Sequence, residues 1–224
     1  MRKIGIFWTL TLIIIGATLV LLSSCKKKDS STSDPTTGTV TDHDGNVYKT
    51  VKIGQQWWMA ENLKTITYNN GISIPLVTDS ATWRNLTTPG YCWLSNDISY
   101  KNVYGALYNW YTVNTGKLAP TGWHVSSDAE WTILTDFLGG IGVAGGKLKA
   151  IGTIEAATGL WFAPNTDATN ESGFSALPAG VRFDDGHFYL DYMGHLGYWY
   201  SSTAFSATDA FGRQINYNQG DITR

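Results

Sequence analysis

Few side chains in this 224-residue sequence could do chemistry. Cys25 and Cys92, with His43, His124, His187 and His195, fall short of a zinc cluster, so a metal site would need oxygen ligands. Serine hydrolysis needs a serine, a histidine and an acid brought together, and no Gly-x-Ser-x-Gly elbow accompanies the histidines. His124, between Trp123 and Val125, reads as a hydrogen-bonded core residue rather than a base. Asp42, Asp44, Gly45 and Asn46 match half of an EF-hand loop, but the remaining ligands and the bidentate glutamate are missing, and an Asp-Gly hairpin accounts for them better. Asn165, Asp167, Asn170 and Glu171 place oxygen ligands in one loop; the expectation is no cofactor, with a structural calcium ion there as the alternative. No catalytic set emerges. What remains is aromatic surface, since Trp and Tyr faces stack on sugars and anchor protein interfaces. Trp58, Trp83, Trp93 and Trp161 stand beside polar or turn-like neighbours and are the candidates for an exposed ligand platform.

The elements that must position these residues are mixed. Residues 40–48 read as strand, Asp-Gly turn and strand, continuing through Val51 and Ile53. Gly54 and then Trp57-Trp58-Met59-Ala60 predict a turn and a buried strand. Residues 104–113 (YGALYNWYTV) carry apolar side chains near helical spacing and predict a short aromatic helix, broken by Pro120 and Gly122. Trp123-His124-Val125 reads as a short strand. Ser127-Asp128-Ala129-Glu130 is a capping box, and Leu134, Phe137 and Leu138 share a face until Gly139-Gly140 ends the helix. After a glycine-rich middle, Asp184-Asp185-Gly186 predicts a hairpin between Val181-Arg182-Phe183 and His187-Phe188-Tyr189. Aromatic strands follow at residues 197–203 and 211–215.

The N-terminus is a separate object. Arg2 and Lys3 precede an uncharged apolar run from Ile4 to Leu22, which ends in Leu22-Ser23-Ser24-Cys25 and then three lysines. Small residues before a cleavage point mark a signal peptide rather than a spanning helix. Leu-Ser-Ser-Cys resembles the bacterial lipobox, which implies cleavage after residue 24, lipidation of Cys25 and a membrane anchor. Residues 25–39 then form the lipidated N-terminus and a flexible, Ser/Thr/Asp-rich linker. Setting aside Arg2, Lys3, Lys26, Lys27, Lys28, Asp29 and Asp34 leaves eleven basic and sixteen acidic side chains in residues 40–224, a mildly acidic domain with no basic footprint for nucleic acid. Nine of the ten tryptophans lie in it, and its length is enough for a full core.

The segments DHDGNVYKTVKIGQQWWMAENLK (42–64), YGALYNWYTV (104–113), KLAPTGWHVSSDAEWTIL (117–134), AGGKLK (144–149), NTDATNESGFSALPAGVR (165–182) and GYWYSST (197–203) resemble the Fibrobacter succinogenes major paralogous domain, in the family's order. The resemblance implies an α+β chain of C-type-lectin-like fold, in the branch that holds formylglycine-generating enzymes. Such a fold has a twisted, mostly antiparallel sheet, two helices and a long irregular loop region before the last strands. It also implies that Trp57, Trp123, Trp131 and Trp199 are core. Trp93, Asn96 and Asp97 are similar to lectin sugar-site chemistry, but Ala163-Pro164-Asn165 lacks the carboxylate of the lectin calcium triplet. Family members usually carry a cysteine where this chain has Ala119 and end in a strand bearing another, so a missing final strand and an unpaired Cys92 are expected. A formylglycine-type oxidase would need a copper-binding cysteine pair, which a lone Cys92 does not provide. The lysines after Cys25 resemble export signals of surface lipoproteins in the Bacteroidetes. The expectation is a non-catalytic lipoprotein at the outer membrane or cell surface, its lectin-like domain recognising a glycan or protein. The alternative is an enzyme of unknown reaction on the same scaffold.

Overall fold

The computed structural model describes residues 36–189 and 192–224. The expected signal peptide, the lipidated Cys25 and most of the linker lie outside them. Among the described residues no helix is long and apolar enough to cross a membrane.

The fold begins earlier than expected. Thr37–Thr41 is already a strand (β1), so the last linker residues belong to the domain. It pairs antiparallel with β2 (Val47–Ile53), which pairs with β3 (Gln56–Met59). The turn between β1 and β2 is held by Asp42, whose carboxylate accepts from the Asn46 backbone N–H at 2.9 Å, from Asn46 Nδ2 at 2.8 Å and from the Tyr48 hydroxyl at 2.6 Å. This satisfied turn is the hairpin, with its carboxylate spent on the chain itself.

The aromatic stretch 104–113 is not one helix. Helix α1 (Ser80–Arg84) and strand β4 (Tyr91–Trp93) come first, followed by two 3-10 turns and the short α2 (Lys101–Tyr104). Gly105 then turns the chain at φ +76°, with Leu63 backbone where a Cβ would stand. Ala106–Tyr108 becomes β5, paired antiparallel with β4, and only Trp110–Val113 (α3) is helical. Sheet pairing overrides the apolar spacing because these residues sit between two burial surfaces. Residues 123–127 run extended without joining a sheet, so no strand forms at Trp123-His124-Val125.

Helix α4 (Asp128–Phe137) starts on the complete capping box, in which Ser127 and Glu130 each satisfy the other's backbone N–H. Gly139 and Gly140, both at positive φ, turn the chain into α5 (Ile141–Leu148). Three glycines within α5 oppose helix formation by propensity. Two of them are there for contact: a Cβ on Gly145 would meet the Asp221 backbone, and one on Gly146 the Asp167 backbone. The helix lies directly on the chain's last residues.

Strands β6 (Leu196–Ala204) and β7 (Ala210–Asn216) form an antiparallel hairpin. The chain then returns so that Thr223 exchanges backbone hydrogen bonds with Gln214 at 2.9 and 3.0 Å, adding a one-residue rung to that edge of β7. The Asp184-Asp185-Gly186 hairpin is present in reduced form, a single bridge between Arg182 and Phe188. The expected α+β class holds, with three small antiparallel sheets of three, two and two strands, short helices and long irregular connections.

Two buried cations organise the irregular parts. Lys149 is fully buried and its ammonium donates to the carbonyls of Thr166 (2.6 Å), Gln219 (2.8 Å) and Asn216 (3.1 Å). Burial pushes its pKa down to about 8, against the opposing charges of Asp167 and Asp221. Arg182 donates to the carbonyls of Val77, Thr78 and Gly186 at 2.6–2.9 Å and lies over the rings of Trp83 and Phe188. A third cation, Arg213, pairs with Asp128 at 2.7 Å, where Arg224 joins at 2.9 Å.

Lys149→Met keeps most of the apolar stem and strips three donors from three buried carbonyls. It should lower stability by about 2 kcal/mol or more, read as a lower urea midpoint at an unchanged slope. Asp128 gives the acid limb. Burial alone would raise its pKa, but hydrogen bonds and charge from Arg213 and Arg224 outweigh this and hold it below the ordinary value. Its stabilisation is complete above the unfolded pKa of about 3.9 and disappears as pH falls through the lower folded value. Arg213→Met should therefore flatten the drop in stability below about pH 4, measured by denaturant titrations across that range.

Candidate functional site

The described residues enclose one large groove, of about 1130 Å³. It is lined by residues of β3, β5, α3, β6 and β7, by residues 123–126 and by the segment around residues 177–184. Part of the lining is an aromatic cluster. Trp58 lies 4.9 Å from Trp131 and 5.9 Å from Phe174, and Trp199 meets Phe174 edge-on at 6.2 Å. Trp199 Nε1 donates to Asn62 Oδ1 at 3.4 Å, while Asn62 Nδ2 donates to the Tyr104 carbonyl at 3.0 Å.

Strand alternation decides which rings face the opening. Along β6, Tyr198 and Tyr200 lie on the face opposite Trp199 and are 41% and 43% exposed. Tyr200 stacks at 6.3 Å on Trp110. Burial and the Tyr192 charge raise the pKa of Tyr198, and burial and Asp209 raise that of Tyr200, so both stay protonated donors at neutral pH. Trp57 also lines the groove and is 40% exposed.

The expected platform is therefore corrected. Trp58, Trp83, Trp93 and Trp161 are all buried and form no exposed surface. Trp58 and Trp57 exchange roles, because Trp58 pairs with Val51 on the core side of the sheet whereas Trp57 pairs with Lys52 on the other. Trp83 is the one buried residue of α1, covered by the Arg182 guanidinium at 4.5 Å. Trp93 lies in the core beneath Lys101. Trp161 has no exposed area, and its Nε1 donates to the Ala176 carbonyl. Of the four, Trp58 and Trp83 contribute edges to the groove, and Trp93 and Trp161 do not reach it. Trp131 is core as expected, while Trp123 and Trp199 are only half-buried.

His124 is also corrected. Its side chain is 69% exposed, not core, and its Nε2 lies 2.8 Å from Glu130 Oε1 on the groove lining. Burial would raise Glu130, but hydrogen bonds from Ser127 and the contact with His124 hold its pKa below the ordinary value. Ser127 Oγ donates to the other Glu130 oxygen at 2.8 Å. The carboxylate thus stands between serine and histidine, an order that puts the carboxylate and not the imidazole on the hydroxyl. The other histidines do not converge here: His195 is sandwiched between Phe162 and Tyr217, and neither His43 nor His187 lines the groove.

Of the four oxygen residues proposed for calcium, Asn170 bonds Ser175 and Glu171 pairs with Lys147 at 3.0 Å. Asn165 Nδ2 donates to the carbonyls of Ala150 and Gly152, while its Oδ1 is buried without a hydrogen-bond partner. The Lys149 ammonium stands beside this loop, bonded to the Thr166 carbonyl at 2.6 Å. Trp93, Asn96 and Asp97 form no shared site: Asn96 Nδ2 donates to the Thr78 carbonyl and Asp97 caps a 3-10 turn.

Cys92 is free and fully buried. Burial pushes its thiol up to about 11, with Arg182 opposing. Ala119, at the position expected to hold a second cysteine, is buried, and its carbonyl accepts from Asn69 Nδ2.

No curated protein and no solved structure matches this chain. The family model described as the Fibrobacter succinogenes major domain matches residues 51–222, which takes in the groove, both buried cations and every element from β3 to β7, and the chain belongs to that family.

Proposed function

We propose that this protein is a non-catalytic, lipid-anchored recognition module of the cell surface or outer membrane. The observation that carries the reading is the groove, lined by Trp57, Tyr198 and Tyr200, each 40–43% exposed, together with amide and carboxylate groups. Such a surface suits an extended glycan or protein segment, which gains from ring stacking and a few oriented polar contacts. The lipobox-like Leu22-Ser23-Ser24-Cys25 and the preceding apolar run support the anchor. Antiparallel sheets, two principal helices and the irregular stretch before β6 support a C-type-lectin-like fold. One observation favours the alternative of an enzyme: His124, oriented by Glu130, is an accessible base on the same groove.

A glycan array and an envelope-extract pull-down with the mature chain, each with and without calcium, test the reading. Tyr198→Ala with Tyr200→Ala should weaken any specific binding at least about tenfold, the loss of roughly 1.4 kcal/mol expected of aromatic anchors. Binding that survives this pair and Trp57→Ala would remove the groove as the recognition site. Turnover of a bound ligand that His124→Ala abolishes would favour the enzyme instead.

A further inference from the structure

We propose that the corner where α4 turns into α5 is a membrane-docking surface that seats this domain on the bilayer holding its lipid anchor; the inference rests on the lipoprotein reading above. Ile133 and Phe137 share one face of α4, and Ile141 and Val143 follow directly after the Gly139-Gly140 turn. These four side chains are 48–65% exposed and form an apolar cluster on adjacent turns. The Phe137 ring lies against Gly54, in the turn between β2 and β3.

That turn is where the chain enters the fold. Thr37 pairs with Val51, and the Thr36 carbonyl accepts from the Lys52 N–H at 2.8 Å, so β1 begins at the end of the sheet that Phe137 covers. Only ten residues separate Cys25 from Thr36. A polar chain of that length reaches about 40 Å at most, and about 20 Å on average. A domain of this size is roughly 40 Å across, so the entry end is the one held near the lipid. Lys26, Lys27 and Lys28 add attraction to anionic headgroups at the same place. The occupant that this geometry favours is therefore the bilayer. His124 lies near the opposite, N-terminal end of α4.

The test uses the lipidated mature chain on phosphatidylethanolamine–phosphatidylglycerol vesicles. A bimane label is placed at Phe137→Cys or, for comparison, at Ala129→Cys, about 12 Å further along the same helix. Buried Cys92 stays unlabelled, and doxyl lipids serve as quenchers. The expected result is flotation with the vesicles and strong quenching at 137 but not at 129. Ile133→Ser with Ile141→Ser and Val143→Ser should reduce the quenching at 137 at least twofold while flotation persists. Flotation without quenching at 137, or a label that responds to protein concentration rather than lipid, would overturn docking and leave the anchor standing. Failure to float would overturn the anchor and docking together.

Discussion

Lys149 directs its three protons at three backbone carbonyls that come from three separate stretches of chain. Thr166 belongs to the irregular loop, Asn216 ends β7 and Gln219 lies on the return toward the C-terminus. A buried carbonyl without a donor costs about 1–3 kcal/mol, and a buried ammonium without acceptors costs more. Each group therefore requires the others, and the loop, strand end and return are fixed by one atom. The consequence runs outward in steps. The return presses on Gly145, Ile222 donates to the Ile141 carbonyl, and Arg224 reaches Asp128 in the first turn of α4. That turn carries the capping box, and Glu130 of the box holds His124 on the groove lining. An interior cation is thus linked, contact by contact, to the position of a side chain on the groove lining.

Arg182 does the same work on the other side of the groove. Its guanidinium ties residues 77 and 78 to the 182–186 turn and packs between two aromatic rings. Neither Lys149 nor Arg182 forms a carboxylate ion pair within 4 Å among the described residues. Carbonyls suit the task because long irregular segments carry backbone acceptors that no sheet satisfies. The arrangement explains how a chain with only 15% charged residues keeps loop-rich stretches folded: each interior charge serves several carbonyls at once.

What could be read in the sequence was whatever local chemistry decides. The Asp42 turn, the Ser127–Glu130 box and the Gly139-Gly140 stop each need only their own few residues, and each formed as expected. The family was legible too, because its motifs are strings of residues. Burial of individual tryptophans was not. Trp57 and Trp58 are adjacent on a strand, so one must face away from the core, and which one depends on pairing with Val51 and Lys52. The alternation of Tyr198, Trp199 and Tyr200 carried the same information and could have identified the rim tyrosines. Polar neighbours misled at Trp83, because Arg182, which covers its ring, is distant in sequence. Helix α5 was hidden by its glycines, whose reason is contact with Asp167 and Asp221 far along the chain.

The groove and the scaffold draw on different residues, and that separation bears on what the fold can be used for. The scaffold depends on Lys149, Arg182 and Arg213, which are buried and contact mainly backbone or a single carboxylate. The rim depends on Trp57, Tyr198 and Tyr200, which are 40–43% exposed, and on His124, whose side chain is 69% exposed. Changing a rim ring removes little of the contact that holds β6 to β7, because their pairing is backbone and the Trp199 face carries the core contact. The exposed rings can therefore vary while the fold stays fixed. His124 is held at the first turn of α4, and the exposed apolar Ile133 and Phe137 lie further along the same ten-residue helix, so the rim histidine and the apolar corner belong to one rigid element fixed at its start by the capping box.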